Sequence, residues 1–170
     1  EAEGREFAVA RFLYEDVGAA RRSVGYLGTL VSGPLYDAAV HSVDAHYTRG
    51  DGKLRLDGQL IRSDVDNLTG DGALFDLLYS VNSNWRHKLE IEYLDDAIDV
   101  SDFGFLRRND YASARYIALY NKQKFTQSIS NFRSTLLIEE QRNTSEQRRV
   151  GGGVYLRTSM VMPGRNSLRG

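Results

Sequence analysis

Three residues in one short segment carry side chains that commonly bind metal ions: His41, Asp44 and His46. In an extended chain, successive side chains point to opposite faces. Asp44 and His46 would therefore share one face, and His41 would lie on the other. This segment alone therefore cannot supply three ligands to one metal ion. The sequence predicts no metal site and no cofactor, and a two-residue site completed from elsewhere in the chain is the alternative.

Glu90 and Glu92 are the best-spaced pair of carboxylates for acid–base chemistry. On one strand face their side chains would lie about 6.5–7 Å apart, which is within reach of glycosidase geometry. Lys88 beside them indicates charge balance instead, and nothing nearby would give the two carboxyls separate acid and base roles. The chain also has no cysteine and no Gly-x-Ser-x-Gly motif. We predict that the protein is not an enzyme, and a hydrolase ranks third among the hypotheses.

The elements that would position such side chains are strands, because the dominant pattern has a period of two. Apolar residues alternate with polar ones in four separate segments, and the pattern predicts that their apolar rows lie on one side of a sheet with the charged rows opposite. The apolar set is Leu54, Leu56, Leu60, Phe75, Leu77, Tyr79, Leu89, Ile91, Tyr93, Val154 and Leu156, and the charged set is Arg55, Asp57, Glu90, Glu92 and Arg157.

Five further segments are predicted as strands from composition and spacing. Turn chemistry separates them, including Gly33-Pro34, a Gly-Asp-Gly hairpin at residues 49–52 and a polar, glycine-containing stretch at residues 67–72. The sequence thus predicts an all-β, antiparallel up-and-down meander of about nine long strands, forming a partial or open outer-membrane-type β-barrel. We expect residues 1–170 to be one segment of a longer protein. The five further strands are predicted at residues 6–14, 23–32, 38–49, 111–122 and 125–139.

Composition excludes several classes of protein. Lys and Arg total 22 against 23 Asp and Glu, so no basic excess favours nucleic-acid binding, and the absence of cysteine excludes a disulfide scaffold. The longest unbroken apolar run covers only residues 116–120, whereas a membrane-spanning helix needs about 20 residues. Membrane-spanning strands need only about 10 alternating residues each. Aromatic residues near predicted strand ends fit either an interfacial girdle or the ordinary preference of aromatics for strands.

The connection before the strand at Tyr111 is the most individual segment of the chain. It contains two aromatics, two arginines and an Asn-Asp pair, and we expect it to fold against the polar side of the sheet. Burial of each phenylalanine would contribute about 2 kcal/mol, and the arginines would pair with carboxylates such as Asp95, Asp96 or Asp99. The predicted site is a constriction in a barrel lumen, and the alternative is a structural latch without a ligand. Its residues are Phe103, Phe105, Arg107, Arg108 and Asp110.

The stretch Gly104-Phe105-Leu106-Arg107-Arg108-Asn109-Asp110 resembles a "G-F-x-x-R-x-D" motif of a family of uncharacterised bacterial outer-membrane proteins. Arg22-Ser23-Val24-Gly25 followed by Val43-Asp44-Ala45 resembles the "S-x-V-G … G-x-D" strand pair of that family, with Ser42 where glycine is usual. Family members join an N-terminal domain like carbohydrate-binding module family 9 to a C-terminal β-barrel. The resemblance covers the barrel part alone, so no sugar-binding residues carry over.

This resemblance implies a location in the bacterial outer membrane and a structural or transport-related role, linked to carbohydrate uptake. The expected partners are the lipid bilayer and sugar-like or anionic solutes, with no nucleic acid. The rival from another class is a soluble β-sandwich or barrel that binds a carbohydrate or small ligand.

Overall fold

The computed structural model of the chain describes residues 4–101, 108–163 and 167–170. Within these residues there are ten strands and no helix, so no helix there is long and apolar enough to cross a membrane. The strands are β1 (Glu6–Val17), β2 (Ala20–Ser32), β3 (Ala38–Arg49), β4 (Leu54–Val65), β5 (Leu68–Ser80), β6 (Trp85–Leu94), β7 (Tyr111–Thr126), β8 (Ile129–Arg142), β9 (Arg149–Val161) and β10 (Ser167–Arg169).

The ten strands form a single open sheet in which each strand pairs with its neighbour in sequence. The order is β1 to β10 without a crossover, and every pairing is antiparallel. The predicted all-β antiparallel meander is therefore confirmed. The additional strand is β10, which is too short to produce an alternating pattern that could be recognised in the sequence.

Two of the predicted turns between strands are misplaced, and β1 and β2 each extend three residues further toward their common turn than predicted. Residues 67–72 do not separate strands, because β4 and β5 are joined by a tight turn at Asp66 and Asn67, whose φ angles are 49° and 64°. Both values are typical of a two-residue hairpin turn, which asparagine and aspartate tolerate. Phe125 does not begin β8 but lies one residue before the end of β7, because the ladder shifts register between Gln123 and Thr126 and delays the turn.

The register separates the side chains into two faces. On the apolar face, Leu56 lies opposite Leu77, and Leu77 lies opposite Leu89. On the charged face, Asp57 lies opposite Asp76, and Asp76 lies opposite Glu90. Every residue of the predicted apolar set lies on the apolar face and every residue of the predicted charged set on the other, so this prediction is confirmed.

The few fully buried side chains are on the charged side of the sheet. Ser63 in β4 and Ile98, in the connection after β6, are 0% and 1% exposed, whereas Leu60 and Leu156 on the apolar face are 65% and 68% exposed. The sheet thus covers part of its polar side and leaves its apolar side open, which is the reverse of a soluble sandwich.

Candidate functional site on the charged face

A chain of ion pairs crosses the first strands on the charged face. The His46 ring has Nε2 3.2 Å from Asp44 Oδ2 and Nδ1 2.7 Å from Asp57 Oδ1. Arg55 Nε donates to the other oxygen of Asp57 at 2.6 Å, and Arg11 lies 3.7 Å from Asp44. These groups come together because they alternate with apolar residues on adjacent strands and so point the same way.

The prediction that the three metal-binding candidates lie on two different faces of the sheet is confirmed. Asp44 and His46 share the charged face, whereas the His41 ring lies on the apolar face with Nδ1 2.7 Å from the Tyr26 hydroxyl. The residues that the structure describes include no group of three or more His, Cys, Asp or Glu able to hold a metal ion. His46 therefore acts here as a link between two carboxylates.

A second group of ion pairs lies across β6 to β8. Lys88 Nζ is 2.5 Å from Glu90 Oε1, and Arg115 bridges Glu90 at 3.6 Å and Glu139 at 3.2 Å. Both oxygens of Glu90 are thus engaged by cations, as expected from the charge-balance interpretation of this segment. The arrangement holds fixed charges of both signs on one wall and suits contact with water or polar solutes.

The connection after β6 folds back over this face, and Asp95 organises its start. Its Oδ1 accepts hydrogen bonds from the amides of Ala97 (3.1 Å) and Ile98 (2.8 Å), and its Oδ2 accepts one from the Asp71 amide (2.7 Å). The backbone of Asp95 also pairs with Asp71 and Asp110. The Asp95 carboxylate thus fixes the backbone, and among the described residues it forms no ion pair with Arg108. The predicted pairing with Arg107 lies outside the described residues.

Residues 97–98 pack directly against β5, where glycine leaves room for them. A Cβ atom on Gly70 would lie 2.2 Å from the Ile98 nitrogen, and one on Gly72 would lie 2.8 Å from Ile98 Cδ1. The Asp99 amide then donates to the buried Ser63 Oγ at 3.0 Å. We call residues 95–101 the inner segment, because these contacts hold it against the charged face.

Three of the five predicted site residues, Phe103, Phe105 and Arg107, lie outside the described residues. The guanidinium of Arg108 lies over the Tyr111 ring, 5.2 Å from its centroid. The described part of the chain contains no ion pair of Arg108 with a carboxylate.

Asp110 is an anchor for the loop between β8 and β9. Its carboxylate accepts hydrogen bonds from the Ser145 amide (2.7 Å), the Thr144 hydroxyl (2.9 Å) and the Ser145 hydroxyl (3.0 Å). These donors, the Ser145 amide most of all, lower the pKa of Asp110 from 3.8 to about 2. Its φ of 51° is in the left-handed region, which aspartate and asparagine tolerate. Asp110 therefore holds two loops together by its charge.

The sequence analysis did not identify Ser63, Gly70 and Gly72, which contact the inner segment. One signal was available: two glycines at alternate positions of a strand share a face and mark a close approach of another backbone. The turn-rich composition around Asp71 concealed it, because glycine and aspartate also favour loops.

Comparison with known proteins places the chain in a family. A family model described as "Domain of unknown function (DUF5916)" matches residues 23–168. The chain belongs to this family. The match covers the sheet from β2 to β10 of this DUF5916 chain, and the expected membership of an uncharacterised family is confirmed. No curated protein and no solved structure gives a significant match.

Proposed function

We propose that this DUF5916 chain forms part of a bacterial outer-membrane β-barrel, with its apolar face toward lipid and its charged face toward a water-filled lumen. The observation that carries the proposal is the distribution of exposure. Apolar rows from successive strands lie side by side on one open face, while the ion pairs occupy the other. A soluble binding module would instead bury that apolar face in its own core.

The dimensions of the apolar face support this proposal. On β6 it runs from Trp85 to Tyr93, about 26 Å along the strand at about 3.3 Å per residue. A strand tilt of about 40°, typical of these barrels, reduces this length to about 20 Å across the membrane. The apolar band of an outer-membrane barrel is about 25 Å tall and is flanked by aromatic residues. At one edge of the apolar face, Trp85 lies opposite Tyr120, and their ring centroids are 4.7 Å apart. Tyr47 and Tyr79 lie toward the same edge on β3 and β5.

The connections differ between the two ends of the sheet and suggest an orientation. At one end the connections are residues 18–19, 50–53, 81–84, 127–128 and 162–166. At the other they are 33–37, 66–67, 95–110 and 143–148, which include the longest. Outer-membrane barrels have short periplasmic turns and longer external loops. In our proposal the end that carries the inner segment faces the outside of the cell.

Residues 1–170 contain no cysteine, so labelling of single introduced cysteines tests location and orientation together once any cysteine elsewhere in the gene is replaced by serine. Glu146→Cys and Ser83→Cys are placed in the complete gene and expressed in a Gram-negative host. The proposal expects a membrane-impermeant maleimide to label Glu146→Cys in intact cells and Ser83→Cys only after the outer membrane is opened. Full-length protein that stays soluble without detergent would refute the proposal and favour the soluble binding module.

The biological role that fits this proposal is structural or transport-related. The family resemblance links it to carbohydrate uptake, and the arginines of the predicted constriction suit sugar-like or anionic solutes. The inner segment narrows the space over the charged face, and Arg107 and Arg108 follow it in sequence. Replacement of both arginines by glutamine, followed by conductance measurements in liposomes, tests this role. Altered conductance with an intact fold supports a constriction, whereas loss of folding supports a latch. No change in either property would exclude both.

A further inference from the structure

A cavity of about 700 Å³ lies over the charged face of β8, β9 and β10, away from the ion pairs described above. Arginine and hydroxyl side chains supply most of its polar groups, and Leu137 and Tyr155 form an apolar wall. The arginines are Arg133, Arg157 and Arg169, and the hydroxyl residues on the same face are Thr135 and Ser159.

Within the part of the chain that the structure describes, the three arginines of this cavity have no acidic partners. Among the described residues, none of them forms an ion pair or a side-chain hydrogen bond, whereas Arg55 and Arg115 on the same face are both bound to carboxylates. Like charges held close together repel each other, and a bound anion would relieve that repulsion.

The strand register places all three arginines around Ser159. Arg133 and Arg169 both lie opposite Ser159, one on each neighbouring strand, and are therefore about 10 Å apart at the backbone. Arg157 lies two residues from Ser159 on the same strand face, about 7 Å along β9. The guanidinium groups can thus reach a single ligand above Ser159 from three sides.

We propose that this cavity binds the phosphate group of a small organic solute. One arginine fork already satisfies the two oxygens of a carboxylate, whereas a phosphate has more acceptor oxygens and a larger charge, and can use three forks and the adjacent hydroxyls. The apolar wall of Leu137 and Tyr155 would contact the organic part of the solute. This inference goes beyond the proposed function, because the arginine site needs no membrane.

Calorimetric titration of the full-length protein tests the site, with glucose 6-phosphate as the probe and glucose as its uncharged match. We expect glucose 6-phosphate to bind, inorganic phosphate to displace it, and glucose not to bind at the same concentrations. Arg157→Gln and Arg133→Gln should each weaken binding about tenfold, the effect of losing a hydrogen bond to a charged group. Arg157→Lys keeps the charge but loses the fork, so it should weaken binding by a smaller factor.

The matched control is Arg55→Gln, which removes the same charge from the same face at a position already paired with Asp57. It should leave the affinity for glucose 6-phosphate unchanged. Equal affinities in Arg157→Gln and Arg55→Gln, or equal binding of glucose and glucose 6-phosphate, would overturn the proposal. Circular dichroism verifies the fold, and Arg133→Gln on the neighbouring strand provides the test if Arg157→Gln does not fold. Because the titration is independent of cysteine labelling, failure of either proposal can be distinguished from failure of the other.

Discussion

Substitution of Gly70 by alanine should detach the inner segment from the sheet. The added Cβ would lie 2.2 Å from the Ile98 nitrogen, 2.3 Å from its Cα and 2.5 Å from the Ala97 carbonyl carbon. All three are backbone atoms, so no side-chain rotation relieves the overlap. The inner segment must move away from β5, or β5 must distort.

The cost follows from the contacts that this movement breaks. Ile98 is 1% exposed, and exposing a buried isoleucine side chain costs about 1.5–3 kcal/mol. The hydrogen bond from the Asp99 amide to the buried Ser63 Oγ adds about 1 kcal/mol. We therefore expect Gly70→Ala to lower the free energy of unfolding by about 3 kcal/mol, with exposure of the inner segment to solvent.

Gly58→Ala in β4 is the matched control, because the nearest atom to its added Cβ is the Leu74 backbone oxygen in β5, 4.0 Å away. Hydrogen exchange of the Asp99 amide and limited proteolysis within the inner segment measure the local effect, and urea unfolding in detergent measures the global one. The amide should exchange faster in Gly70→Ala than in Gly58→Ala. Equal protection of the amide in both variants would refute the packing argument.

Three further predictions concern the apolar face, a loop anchor and the sheet edge. Ile91→Arg should lower stability in lipid by about 2–4 kcal/mol, whereas Ser113→Arg on the charged face should have little effect; unchanged stability in both would contradict the assignment of the faces. The pKa of Asp110 measured by NMR should be near 2 and not 3.8. Its contribution to the stability of the fold is therefore present above about pH 3.8 and is lost as the pH falls toward 2. Asp110→Asn should remove that titration, and a midpoint near 3.8 in the wild type would count against the anchor. The 170-residue chain alone should aggregate without detergent, because β1 is exposed along its whole length; a monodisperse monomer in size-exclusion chromatography would argue otherwise.

The strands and their faces could be predicted from the sequence because both depend on local alternation. Leu54, Leu56 and Leu60 fall on one face by their spacing alone, whatever the neighbouring strands contain. The register could not be predicted from alternation alone, because the bulge after Gln123 extends β7 and leaves Phe125 before the turn and not after it. A single inserted residue leaves little trace in composition.

The inner segment could be predicted only as an irregular connection. Its contact from Asp99 to Ser63 joins residues 36 positions apart, and no local pattern encodes that distance. The clustering of Arg133, Arg157 and Arg169 could not be predicted either, because it depends on the register of three strands. Long-range placement therefore accounts for most of what the sequence did not predict.

Pairing of each strand only with its neighbours in sequence has a consequence for how the chain folds. Each hairpin closes a short loop, and the entropy lost on closure grows slowly with loop length, so the sheet can form one hairpin at a time. The contacts of the inner segment with Ser63 and Gly70 require β4, β5 and β6 to be paired first. Docking of the inner segment is thus a late step in folding. Its contacts therefore affect the unfolding rate more than the folding rate.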